Sequence, residues 1–95
     1  MAQDAGVKSV PALRDFGRQV QQMGEQMYNL MLQAQKRMNY VSEGWRDDQN
    51  ERFKVRFNES VQMIKKMSED FTAYNQYITK ACDILEGYKE NRLNI

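Results

Sequence analysis

Apolar side chains recur along this chain at a helical spacing that is interrupted once, near the middle. In the first half they are separated by alternating steps of three and four residues, at Leu13, Phe16, Val20, Met23, Met27, Leu30 and Ala34. This alternation is typical of a coiled-coil seam, in which one stripe of a helix packs along a second helix. It predicts a first helix over about residues 10–42.

The second half repeats this spacing over a greater length. The positions are Phe53, Phe57, Ser60, Ile64, Met67, Phe71, Tyr74, Ile78, Ala81, Leu85 and Tyr88. They predict a second helix over about residues 48–90. Two seams joined by a turn at residues 43–47 predict an all-α fold, an antiparallel two-helix hairpin. We expect one domain over residues 1–95, with a flexible arm at 1–8 and a tail at 91–95.

Local signals mark where the helices begin and end. Ser9 precedes a Val-Pro pair, and serine is a good N-cap while proline is tolerated in the first turn. Gly44 suits the left-handed conformation that commonly ends a helix, so the first helix is expected to end near residues 41–43. Asp47 or Asp48 is expected to cap the second helix, and Asp48 with Glu51 resembles a capping box.

The only tryptophan, Trp45, lies inside this turn. We expect it to pack near Val41 and Phe53 at the tip of the hairpin, as a structural residue that stays partly exposed. The predicted turn motif is therefore Gly44, Trp45, Asp47 and Phe53.

A second stripe runs along the first helix at intervals of seven residues, through Gly17, Gly24, Met31 and Met38. Glycine inside a helix costs about 1 kcal/mol relative to alanine, so two glycines in register suggest the close approach of another helix. One interpretation is that an antiparallel second copy lies in this groove, which would make a homodimer with a four-helix-bundle core. The alternative is that the glycines face the second helix of the same hairpin.

Composition argues against catalysis. The chain has no histidine and one cysteine, which removes the commonest general base and any thiolate metal cluster. No glycine-rich loop follows a strand, so no phosphate cradle is expected. We predict no catalytic residue, no cofactor and no metal.

Charge and hydropathy limit the class of partner further. Net charge is +1, so no overall field attracts nucleic acid or an anionic membrane. The basic-aromatic run at residues 52–57 is the one feature that favours nucleic acid, but its aromatics occupy seam positions. The first twelve residues contain no apolar run of signal-peptide length, and no segment is apolar enough to cross a membrane. We expect synthesis in the cytoplasm, no stable membrane insertion and, if the protein is secreted, export without a cleaved leader.

Together these residues resemble the WXG family of ESAT-like proteins, which are small bacterial helical hairpins associated with type VII secretion. The resemblance covers the whole chain in architecture but few residues in motif. Trp45 matches the family's tryptophan, and Phe53 matches the apolar position early in its second helix. Asp47 stands where the family has glycine, a Trp-x-Asp variant, and both residue types are accepted at an N-cap.

A second departure concerns export. The family's export tail is a tyrosine followed four residues later by an acidic residue, whereas Arg92 stands four residues after Tyr88, and no other tyrosine has the pattern. The resemblance implies a substrate, adaptor or chaperone partner of a specialised secretion system. It also implies pairing with itself, a related hairpin, a secretion component or a toxin. The alternative is a structural helical module that pairs with a larger protein outside secretion.

Overall fold

The computed structural model describes residues 9–93, with side chains described for residues 9–87. It contains two helices, α1 (Val10–Ser42) and α2 (Asp48–Leu93), which lie antiparallel and in contact. The predicted helical hairpin is confirmed. The predicted arm at residues 1–8, the end of the predicted tail at 94–95 and the side chain of Tyr88 lie outside the described residues.

The start of α1 follows from a local hydrogen bond. Ser9 has extended backbone, with φ −149° and ψ 115°, and its hydroxyl oxygen accepts a bond from the Ala12 N–H at 3.1 Å. Pro11 lies in the first turn, where its missing N–H leaves no helical bond unmade. The sequence-based N-cap is therefore confirmed.

The end of α1 differs from expectation at Gly44. The backbone of this glycine is not in the left-handed region, and an added Cβ would meet only the Val41 carbonyl at 3.9 Å. Instead the chain tightens, because the N–H groups of Glu43, Gly44 and Trp45 each bond to the carbonyl three residues earlier at 3.1–3.2 Å. The prediction of a left-handed cap is wrong, since these short-range bonds already satisfy the last carbonyls.

Asp47 is the residue that caps α2. Its Oδ1 accepts a hydrogen bond from the Asn50 N–H at 3.0 Å, and its carbonyl accepts one from the Glu51 N–H at 3.3 Å. Asp48 is the first helical residue, where its charge suits the helix dipole. Of the two predicted candidates, the structure selects Asp47.

The contact between the helices runs along the second stripe of α1, Gly17, Gly24, Met31 and Met38, which we call the glycine stripe. Away from the turn, where Ser42 and Asn50 are buried, the buried residues of α1 are Val10, Gly17, Gly24 and Met38, and those of α2 are Val61, Ser68 and Cys82; within each set the spacing is a multiple of seven. Small and polar residues thus supply much of this interface, and the buried apolar side chains of the described region are Val10, Met38, Val61 and Cys82. The helices approach closely and bury little apolar surface.

Polar contacts close one side of this interface. The Asn75 amide donates to Gln21 Oε1 at 2.7 Å, and the Gln35 amide donates to Asn58 Oδ1 at 3.1 Å. Near the open end, Arg14 pairs with Asp83 at 2.5 Å and also with Glu86. Hydrogen bonds to these two carboxylates raise the pKa of the Arg14 guanidinium further above its ordinary value.

The two helices differ in length. The sulfur of Cys82 lies 3.9 Å from the Val10 carbonyl oxygen, so residue 82 stands level with the start of α1. Because α2 continues to Leu93, it extends about three turns past the first helix. α2 thus ends slightly beyond the predicted boundary near residue 90.

Candidate functional site

Among the described residues, no position of the two predicted seams is fully buried, and each seam divides into a half-buried and an exposed part. In α1, Phe16, Met23 and Leu30 are 55%, 58% and 63% exposed. The alternate seam positions Leu13, Val20, Met27 and Ala34 are half-buried. The prediction that this seam faces α2 is therefore correct only for its inner half. The stripe that points directly at α2 is the glycine stripe.

The seam of α2 divides in the same way. Phe57, Ile64, Phe71 and Ile78 are half-buried, whereas Phe53, Met67 and Tyr74 are exposed. The buried positions of α2 stand one residue further along the heptad, at Val61, Ser68 and Cys82. A shift of one residue turns a helix by about 100°, which moves half of the predicted seam to the surface.

Both exposed half-seams lie on the same side of the hairpin. The exposed residues of each helix stand one position before its buried stripe, which in an antiparallel pair puts both on one side. At the turn, Phe53 of α2 lines one pocket with Ala34 and Val41 of α1. The polar contacts of Gln21 and Gln35 occupy the opposite side of the interface. We call the combined surface the apolar face, and define it by its exposed residues Phe16, Met23, Leu30, Phe53, Met67 and Tyr74.

The apolar face is large and carries no charge along its centre. Its six exposed side chains present on the order of 600 Å² of apolar surface, at the top of the range for the largest patch on an ordinary monomer. The half-buried seam residues form its floor, and Met63, Tyr77 and Ile84 widen it on α2. A stable interface buries about 800 Å² on each partner, so this face approaches what a binding surface needs.

The predicted dimer-interface residues lie elsewhere. An added Cβ at Gly24 would stand 2.9 Å from Phe71 Cβ and 3.2 Å from Ser68 Cα, and one at Gly17 would stand 3.1 Å from Ile78 Cγ2. Met38 is buried and Met31 half-buried on the same stripe. This corrects the interpretation of the stripe as a groove for a second copy, because α2 already fills it. The glycines face the second helix of the same hairpin, as the alternative interpretation predicts.

The turn motif brings three of its four predicted residues into a small cluster. The rings of Trp45 and Phe53 lie 6.2 Å apart, with Phe57 a further 5.8 Å from Phe53. Trp45 is 38% exposed, and Asp47 caps the helix beneath it. Gly44 is exposed and takes no part in the cluster.

Sequence reasoning missed Asn50, which holds the turn together. Its side chain is buried; Ser42 Oγ donates to its Oδ1 at 2.9 Å, and its Nδ2 donates to the Trp45 carbonyl at 2.5 Å. It thus joins the end of α1, the turn and the start of α2. A polar residue within a polar segment shows no periodic signal, although its place three residues after the N-cap is where a capping box has its second member.

Over the described residues 9–93, no group of three or more cysteine, aspartate or glutamate side chains is placed to hold a metal ion. Neither helix, over the same range, combines the length and apolar character needed to cross a membrane.

Comparison of the chain with protein-family models, curated proteins and solved structures finds no match. The resemblance to the WXG family therefore depends on Trp45, Phe53 and the hairpin itself, and family membership stays a prediction. The site that the geometry identifies is an exposed apolar surface, the apolar face.

Proposed function

We propose that this protein acts by binding another helical protein through the apolar face, as a WXG-like substrate, adaptor or chaperone partner of a bacterial type VII-like secretion system. The observation that carries the binding proposal is the reversal of polarity between interior and surface. Glycine, serine and asparagine lie at the contact between the helices, while Phe16, Met23 and Leu30 face outward.

This reversal favours a permanent partner. Apolar surface left in water gives up roughly 25 cal/mol per Å², so a face of on the order of 600 Å² has a strong driving force for burial. The heptad spacing of the exposed residues fits a partner that is itself a helix or a helical pair. A second copy, or a related hairpin, could apply its own apolar face and complete a four-helix core.

The role in secretion comes from the resemblance alone. A hairpin with a Trp-x-Asp turn is expected to travel as a helical pair with its partner. No tyrosine of this sequence is followed four residues later by an acidic residue. Either the partner supplies the export signal, or the protein serves a different secretion apparatus or none.

Sedimentation tests the binding surface. We expect the parent protein to be dimeric at micromolar concentration and the double variant Phe16→Glu, Met23→Glu to be monomeric, because two charges would be buried unpaired. The matched control is Gln22→Glu, Asn29→Glu, which places the same charges, seven residues apart, on exposed positions of α1 off the apolar face. The control should remain dimeric.

Co-expression with the products of neighbouring genes tests the partner. A complex with a second hairpin protein, lost in the Phe16, Met23 variant, would support the secretion proposal, as would appearance in the medium only when the secretion ATPase is present. A complex with a long helix of a larger, retained protein would favour the structural-module alternative. A parent that stays monomeric alone and with these products would contradict the proposal.

A further inference from the structure

The apolar face ends at the turn in two small clefts that share the Trp45–Phe53 pair. On one side of the aromatic pair, Ala34, Met38 and Val41 line an aliphatic cleft. On the other side, the pair borders a cleft formed by Gln49, Arg52 and Arg56. We call these the tip clefts. They place an aliphatic cleft close to exposed arginine side chains.

The arginines of the tip clefts lack partners of their own. Arg37 borders the aliphatic cleft, and Arg52 and Arg56 line the second. All three are exposed, and within the described residues none forms an ion pair or a side-chain hydrogen bond. Other arginines of the chain are engaged, since Arg14 pairs with Asp83 and Glu86, and Arg18 pairs with Asp15 at 3.0 Å.

The carboxylates nearest the turn lie apart from these arginines. Asp47, Asp48 and Glu51 border a separate cleft, together with Arg46 and Lys54. Trp45 lines both this mixed-charge cleft and the cleft of Arg52 and Arg56. The three arginines therefore face solvent beside exposed aromatic rings, where a guanidinium can bind a carboxylate with two parallel hydrogen bonds.

We propose that the tip clefts bind an acidic helical segment of a partner protein. One aliphatic side chain of that segment fills the cleft of Ala34, Met38 and Val41. Carboxylates one helical turn on either side of it pair with Arg37 on α1 and with Arg52 and Arg56 on α2. The site is separate from the centre of the apolar face and does not depend on a role in secretion.

Two features favour this occupant over others. Nucleic acid offers the first cleft at most the methyl group of thymine, and a net charge of +1 provides little of the field on which phosphate binding depends. Within a second copy, two carboxylates near the end of α2, Asp83 and Glu86, are already held by Arg14.

Trp45, the only tryptophan, provides the readout. The probe is an alanine-based peptide of about 20 residues, long enough to be helical in water, with one leucine flanked by glutamates at i−4 and i+3. We expect saturable binding that shifts the emission of Trp45. Replacing the glutamates of the peptide by glutamine, or its leucine by alanine, should weaken binding about tenfold or more.

The protein variants use the full chain, with helicity checked by circular dichroism. Arg52→Gln, Arg56→Gln should weaken peptide binding about tenfold or more, whereas Lys65→Gln, Lys66→Gln, which removes the same charge from exposed positions of α2, should leave it within about twofold. Ala34→Met, which fills the aliphatic cleft, should abolish the preference for the leucine peptide.

Three results would overturn the proposal. The first is an equal effect of the arginine and lysine variants, which would mean unspecific attraction. The second is equal binding of the glutamate and glutamine peptides, or no saturable binding by any of them. The third is tighter binding of single-stranded oligothymidine than of the peptide, lost in the arginine variant, which would assign the clefts to nucleic acid.

Discussion

Gly24→Ala tests the glycine stripe at the point where the two helices are closest. The added methyl group would stand 2.9 Å from Phe71 Cβ, 3.1 Å from Phe71 Cδ2 and 3.2 Å from Ser68 Cα. Neither the Cβ of a phenylalanine nor a helix backbone can move aside alone. The substitution therefore forces α1 and α2 apart over the turns around this contact.

Two opposing effects determine the magnitude. Alanine is favoured over glycine by about 1 kcal/mol in a helix interior. Overpacking a close contact costs roughly 1–3 kcal/mol, and backbone contact places this case in the upper part of that range. We expect Gly24→Ala to lower the free energy of unfolding by about 1–2 kcal/mol. Gly17→Ala should cost less, because its nearest contact, 2.6 Å away, is the Asn75 side-chain oxygen, which can rotate.

Gly87→Ala is the matched control. Gly87 also lies in a helix, but an added Cβ there meets nothing within 4 Å. The control should gain the full helix propensity, about 1 kcal/mol, so the two variants should differ by about 2–3 kcal/mol. The difference isolates the steric effect, since the propensity change is common to both.

Urea unfolding followed by circular dichroism, at several protein concentrations, measures these free energies. Equal stabilisation by Gly24→Ala and Gly87→Ala would refute the close contact. If Gly24→Ala dissociates into monomers while its hairpin unfolds like that of the parent, the glycine stripe is an interface between copies instead. A concentration-independent loss of stability agrees with the contact described.

Three further predictions concern the turn. Asn50→Ala should lower the free energy of unfolding by about 2–3 kcal/mol, because one buried and one part-buried hydrogen bond are lost. Asn58→Ala removes an exposed hydrogen bond and should lower it by less than about 1 kcal/mol, so similar losses in urea unfolding would contradict this. Asp47→Ala should lower the free energy of unfolding by about 1 kcal/mol, and Asp47→Asn by about a few tenths, because asparagine also caps helices. Thermal unfolding measures both variants, and equal losses would mean that the cap is unimportant. Trp45→Ala should lower the free energy of unfolding by about 2 kcal/mol, less than the loss expected for a fully buried aromatic side chain. Unchanged stability with loss of partner binding would instead identify Trp45 as a recognition residue.

The sequence by itself determined the parts of this protein that depend on neighbouring residues. The two helices follow from apolar spacing, and the cap at Ser9 follows from a side chain that bonds to backbone three residues away. For the cap of α2 the sequence offered Asp47 or Asp48, and the structure selected Asp47. The hairpin follows because a short turn between two long helices leaves them antiparallel. Each of these inferences needs no knowledge of what lies across the interface.

Only the tertiary structure decided which stripe faces inward. The glycine stripe and the apolar seam both repeat every seven residues, so periodicity alone cannot rank them. Glycines let α2 approach α1 so closely that a Cβ added at Gly24 would meet Phe71 and the Ser68 backbone, and that geometry turns Phe16 and Met23 toward solvent. The role of Asn50 could not be predicted from the sequence either, because Ser42 and the Trp45 carbonyl come within hydrogen-bonding distance of it only once both helices are in place.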